Sequence, residues 1–215
     1  MILITGAAGK TGQAIIRALA EREAAVRAFV YRDEHVSLVK ELGAKEAVVG
    51  DLRDETTFRQ AADGVRAMYH ICPNMNPDEV VIGRMAITTA QASGVWHFVY
   101  HSVLHPQTEA MPHHWHKMRV EEMLLESGLD FTILQPAAYM QNVLAGWTAI
   151  VEEGIYRVPY PVETRLGMVD LNDVAAAAHR QTTGERGILQ DVSRGAIVSM
   201  NRFDALPAGA FLKAN

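Results

Sequence analysis

The stretch M-I-L-I-T-G-A-A-G-K-T-G-Q-A-I-I-R-A-L-A, residues 1–20, decides the reading of this chain. Residues 1–5 form a short apolar run of strand length. Gly6, Gly9 and Gly12 follow in a tight turn, and Ile15, Ile16 and Leu19 then recur at helical spacing. Strand, glycine turn and helix together make a device for holding phosphate. Gly6 permits a sharp exit from the strand, Gly9 lets a pyrophosphate approach its backbone, and Gly12 lets the helix pack closely on the sheet. The helix start offers unpaired N–H groups and the positive end of its dipole. Ala8 lies within the turn, while Lys10 and Thr11 add a charge and a hydroxyl to it. The spacing G-x-x-G-x-x-G differs from the G-x-G-x-x-G dinucleotide pattern. The turn's place between strand and helix points to phosphate, and a ligand-free strand–helix turn is the alternative.

Composition agrees with a globular α/β chain. The 215 residues are 49% hydrophobic and 21% charged, enough for one large domain with a sizeable core. A net charge of −5 and the lack of any Lys/Arg-rich block argue against nucleic acid or an anionic membrane as partner. No apolar stretch reaches the ~20 residues of a membrane helix, and no basic region precedes the first apolar run, as a signal peptide requires. Cys72 is the only cysteine, so no internal disulfide forms and a cytoplasmic location is expected.

Residues 25–31 (A-V-R-A-F-V-Y) read as a second strand, with Arg32 and Asp33 directly after it. In a dinucleotide fold this strand end faces the adenosine ribose. An arginine there pairs with a 2′-phosphate, and an acid accepts from a 2′-hydroxyl. Arg32 comes first, which points to NADP(H); Asp33 keeps NAD(H) open. A helix over 34–42 ends at Gly43, and 44–50 forms a third strand leading into Asp51, Leu52 and Arg53. Asp51 is read either as acceptor for an adenine amino group or as N-cap of a helix over 55–62, and both roles can coexist.

A fourth strand over 65–72 ends at Cys72. Pro73, Asn74, Met75, Asn76 and Pro77 make an irregular loop before a helix over 78–93, whose half-buried face is read as Val81, Met85 and residues 87–90. Ligands of open α/β sheets sit at such carboxyl edges, so this loop is expected beside the ligand. Strand five over 95–103 carries Ser102. A helix over 113–126 follows, on which Lys117 and Glu121 stand four apart and can pair. Strand six over 129–134 leads into Gln135, Pro136, Ala137, Ala138 and Tyr139. His105, His113, His114 and His116 lack the spacing of a helical zinc site, and no metal is expected. Strand and helix alternate to about residue 182, which implies a parallel, doubly wound sheet in one domain over 1–215.

The pieces I-T-G-A-A-G-K-T-G at 4–12, V-Y-R at 30–32, G-D-L-R-D at 50–54, H-S-V-L-H-P at 101–106, K-M-R-V-E-E-M-L at 117–124, S-G-L-D-F-T-I-L-Q-P at 127–136 and V-D-L-N-D-V-A at 169–175 resemble the NmrA-like group of atypical short-chain dehydrogenases/reductases. The resemblance covers most of the chain to about residue 180. It implies a Rossmann fold, an NAD(P)(H) site and a small C-terminal substrate region, to which residues 136–165 and 183–215 would contribute. The cofactor-binding residues so implied are Gly6, Ala8, Gly9, Lys10, Thr11, Gly12, Arg32, Asp51, Leu52, Cys72, Pro73, Asn74, Lys117, Pro136 and Ala138, with Met75 and Tyr139 towards the substrate.

Ordinary short-chain dehydrogenases use a serine with Tyr and Lys in Y-x-x-x-K. In this chain Ser102 and Lys117 take the serine and lysine places, while His113 stands where the tyrosine belongs. A histidine can exchange protons near neutrality, or it serves only as a helix-start residue. The resemblance allows two functions. One is reduction of a quinone-like or conjugated small molecule by hydride from NAD(P)H; the other is a nicotinamide-binding regulator without turnover. After Thr183 the text shows weak helical periodicity with Gly and Pro breaks, and a shortened tail with a more open pocket is expected.

Overall fold

In the computed structural model, residues 1–158, 160–161, 163–184 and 195–200 are described. Strands β1 (Ile2–Ile4), β2 (Val26–Val30), β3 (Glu46–Val49), β4 (Ala67–His70), β5 (His97–His101) and β6 (Phe131–Pro136) alternate with helices. The helices are α1 (Lys10–Ala20), α2 (His35–Glu41), α3 (Glu55–Ala62), α4 (Glu79–Ala92) and α5 (Pro112–Glu126). All strands pair in parallel in the order β3-β2-β1-β4-β5-β6, which is the Rossmann order, and β9 (Gly195–Met200) adds a seventh strand beside β6. The tail reading missed β9. Ile197 on it is 52% exposed, so the strand lies half-covered, and its pairing with β6 supplies the order that its own apolar pattern lacks.

The sheet is buried on both faces because its strands alternate between two cores. Leu3, Phe29, Phe98 and Tyr100 pack with Phe58 of α3, Ile82 of α4 and Val120 of α5. Ile2 and Ile4 point with Ile15, Ile16, Val39 and Ala178 towards α1, α2 and α7 (Leu171–Thr183). The buried face of α4 is Glu79, Ile82, Gly83, Ala86, Ile87 and Ala90, at spacings of three and four. Val81, read above as half-buried, is 58% exposed because it falls one residue out of that stripe.

Beyond β6 the chain folds back over the carboxyl edge. A short strand β7 (Ala138–Tyr139) pairs in parallel with β8 (Met168–Val169), and a 3-10 segment (Met140–Gly146) leads into α6 (Trp147–Glu153). The expectation of a shortened, open tail concerns residues that lie mainly outside those described. Among the described residues no helix is long and apolar enough to cross a membrane.

Candidate active site

The strand order reverses between β1 and β4, and the crevice at their carboxyl ends is where the glycine turn stands. Gly6 has φ +59°, a left-handed conformation that a side chain would strain, and a Cβ there would lie 2.9 Å from the Ile71 carbonyl oxygen. A Cβ on Gly12 would lie 2.5 Å from the Gly6 carbonyl oxygen and 2.7 Å from the Ala7 Cα. The space Gly12 saves is therefore taken by the turn itself and not, as expected, by the sheet. The turn curls tightly over the first turn of α1. The backbone N–H groups of Lys10, Thr11 and Gly12 consequently have no acceptor among the described residues, whereas Gln13 N–H already bonds the Gly9 carbonyl. Three such donors at a helix N-terminus fit a diphosphate. Lys10 reaches from the same turn to Asn142 Oδ1 at 2.9 Å, which ties α1 to the 3-10 segment.

At the end of β2, Arg32 is exposed and bonds Glu34 at 3.0 Å. Such a surface pair contributes little, which leaves the guanidinium available to a phosphate. Asp51 is gripped by Arg53 through its backbone N–H at 2.9 Å and its guanidinium at 2.7 Å. That grip holds the Asp51 carboxyl below the usual range, so it remains an ionised acceptor. The same arginine reaches Asp78 at 3.3 Å. The N-cap role considered for Asp51 belongs instead to Asp54, whose side chain accepts from Thr56 N–H at 3.1 Å. Asp54 is the residue directly before the helix, as the cap geometry demands. Leu52 and Cys72 are buried below these loops, and Pro73, Asn74 and Met75 are exposed above them, Met75 with φ +54°.

Lys117 does not pair with Glu121. Its Nζ bonds Glu79 Oε1 at 3.0 Å and the His101 carbonyl at 3.1 Å, with the Tyr100 ring centre 5.3 Å away. Glu79 also accepts from the Tyr100 hydroxyl at 2.7 Å. The buried carboxylate across the helix pair outcompetes Glu121 because Glu121 is itself engaged. It accepts from the Ser102 hydroxyl and from Gln135 Nε2 at 3.0 and 3.1 Å. Burial raises the Glu121 carboxyl, and those two donors oppose the rise. Ser102 is thus buried with its proton directed at a carboxylate. His113 stands half-exposed in the first turn of α5, its ring edge-on to His114. Partial burial and the neighbouring His114 and Lys117 lower its pKa, so it is neutral at pH 7. His114 Nδ1 lies 3.0 Å from the His105 carbonyl, and no three potential metal-ligating side chains converge among the described residues.

Pro136 and Ala138 flank the return over the edge, where Ala137 N–H bonds the Met200 carbonyl at 2.9 Å. The Tyr139 hydroxyl meets Thr11 Oγ1 at 3.1 Å and His101 Nε2 at 2.7 Å. The strand order, the glycine turn and the Lys117 cluster therefore stand at one edge of the sheet. The NmrA-like family model matches residues 1–190.

The chain belongs to the NmrA-like family.

Among curated relatives, NAD(P)H azoreductase of Xenophilus azovorans is 32% identical over 187 residues, 85% of this chain and 63% of that protein. Quinone oxidoreductase 2 of Escherichia coli (strain K12) is 29% identical over 188 residues, 84% of this chain and 63% of its own length. The chain therefore spans about 63% of the length of both relatives. A crystal structure of an NADPH-dependent quinone oxidoreductase from Escherichia coli with NADPH superposes with TM-score 0.81 and 25% identity, over 98% of this chain and 72% of that one. Glu79, His101 and Gln135 carried no site role in the sequence, and Glu121 was expected only as the helix partner of Lys117. Glu79 and Glu121 read as ordinary helix acids, and His101 gave one local signal, its place beside Ser102 in H-S-V-L-H-P.

Proposed function

We propose that this NmrA-like chain is an NAD(P)H-dependent oxidoreductase that reduces a quinone-like or conjugated small molecule, with NADP(H) preferred and NAD(H) accepted. The observation that carries the reading is the row of N–H groups on Lys10, Thr11 and Gly12, without acceptors among the described residues, at the point where the strand order reverses. The relatives named above, an azoreductase and a quinone oxidoreductase, support the class of acceptor. The bound nicotinamide supplies the hydride, and the protein supplies position and exclusion of water. Those N–H groups and Gly9 hold the diphosphate, and Lys10 neutralises it. Arg32 pairs with a 2′-phosphate. Asp51 and Leu52 border the adenine, while Cys72, Pro73 and Asn74 form the floor beyond it. Lys117 holds the nicotinamide ribose, and Pro136 and Ala138 flank the ring. Met75 and Tyr139 face the substrate, with the return from residue 136 on the substrate side of a single cytoplasmic domain; the expected contribution of 183–215 falls mainly outside the described residues. Ser102 directs its proton at Glu121 and His113 stands in the first turn of α5, so neither is assigned as the acid.

Tryptophan fluorescence titration with NADPH and NADH tests binding, and loss of reduced-nicotinamide absorbance with quinones and azo compounds tests turnover. Tighter binding of NADPH with acceptor-dependent oxidation supports the reading. Binding without turnover favours the regulator, a reading that the engagement of Ser102 by Glu121 also suits. Failure to bind either nucleotide overturns both.

A further inference from the structure

Tyr139 Oη closes a chain of hydrogen bonds that runs from the core to the glycine turn. The Tyr69 hydroxyl lies 2.8 Å from His101 Nδ1, His101 Nε2 lies 2.7 Å from Tyr139 Oη, and Thr11 Oγ1 donates to the same oxygen at 3.1 Å. Tyr69 is fully buried, and His101 Nδ1 is the one partner its hydroxyl has among the described residues. A buried hydroxyl proton left unpaired is costly, so Tyr69 donates to Nδ1. Nδ1 is then the acceptor and Nε2 carries the proton. His101 Nε2–H therefore donates to Tyr139 Oη, as does Thr11. The tyrosine oxygen takes two donors, and its own proton is left to point outward from a half-buried ring.

We propose that Tyr139 is the proton donor to the reduced substrate and that His101, fixed by Tyr69, is its positioning residue. The proposal rests on the reductase reading. A quinone becomes a hydroquinone by taking one hydride and one proton. The hydride comes from the reduced nicotinamide. The Tyr139 O–H bond breaks, its proton forms the new O–H bond on the substrate oxygen, and the electron pair stays on Tyr139 as phenolate. The Thr11 hydroxyl and His101 Nε2–H stabilise that phenolate, and a water proton restores the phenol at the open side. Burial and the Lys117 charge hold His101 at a pKa of about 3, so the ring stays neutral and keeps a single, fixed donor. Lys117 bonds the backbone carbonyl of the same His101 at 3.1 Å. One residue thereby sets both the phenol and the ammonium, the pair that His113 does not provide.

The test compares the intact protein with Tyr139→Phe, His101→Gln and His101→Leu. Each is titrated with NADPH and assayed with alkyl-substituted and with halogenated benzoquinones. Alkyl-substituted quinones give basic hydroquinone anions that need the proton; halogenated ones give stable anions that do not. At saturating NADPH, Tyr139→Phe should lose about 10²-fold in kcat with alkyl-substituted quinones, the usual scale of general acid catalysis. With halogenated quinones the loss should stay within a few-fold. His101→Leu should show the same split at smaller size, and His101→Gln, which retains an N–H near the Nε2 position, should restore most of the rate. Equal loss with both quinone classes, or no loss with either, overturns the proposal. Intact NADPH binding with no quinone turnover by the parent protein overturns the reductase reading, and the proposal falls with it.

Discussion

Lys117 on α5 and Glu79 on α4 meet in a 3.0 Å ion pair whose side chains are only 11% and 3% exposed. The pair fastens two neighbouring helices at the edge of the candidate site. It is also where the lysine of the family's pattern is held in place.

Removing one partner of such a pair leaves a buried charge, at a cost of about 3 kcal/mol or more. Glu79→Gln should therefore lower stability in urea unfolding by about that amount while keeping an acceptor for Tyr100. Replacing both residues with methionine should recover most of the loss, because no lone charge then remains. A cost near zero for Glu79→Gln would show that the ammonium escapes to solvent.

His70 and His101, both buried, contribute to the acid response. Burial, reinforced by the Lys117 charge, lowers His70 and His101 from 6.5 to about 3 each. The Thr5 hydroxyl donates to the Ile71 carbonyl, so His70 Nδ1–H donates to Thr5, and its Nε2 has no partner among the described residues. Between the two pKa values the unfolded chain binds more protons than the folded one, so stability falls as pH drops below about 6.5. At pH 5 each histidine should cost about 2 kcal/mol relative to neutral pH. Denaturant unfolding at pH 7 and pH 5 measures the loss, and His70→Phe should reduce it by about 2 kcal/mol.

Gly12→Ala should damage the nucleotide site more than the fold. The added methyl meets the Gly6 carbonyl and the Ala7 backbone, so the turn must shift away from the three N–H donors. NADPH affinity in a fluorescence titration should fall at least tenfold, a change of about 1.4 kcal/mol. Unchanged affinity would remove the turn from the binding site.

Arg32→Ala should separate the two nucleotides. The arginine is exposed and bonds only its near neighbour Glu34 among the described residues, so the fold does not need it. NADPH should bind about tenfold more weakly, with NADH within about twofold of the parent. Equal loss for both would place the guanidinium away from the 2′-phosphate.

The local text determined what local physics can determine. The apolar runs, the helical spacing of Ile15, Ile16 and Leu19 and the glycines at 6, 9 and 12 are short-range signals, and they were enough for the alternating elements, the parallel sheet and the glycine turn between β1 and α1. Tertiary structure decided everything that depends on which distant side chain arrives first. Four-residue spacing put Glu121 within reach of Lys117, yet Glu79, 38 residues away, takes it, because Ser102 and Gln135 already occupy Glu121. Tyr139 meets Thr11, 128 residues away, only because β7 folds back over the sheet edge. Likewise β9 exists because β6 offers it an open row of backbone donors and acceptors. Hydrogen-bond satisfaction in a buried interior is a property of the assembled whole, and no window of sequence carries it.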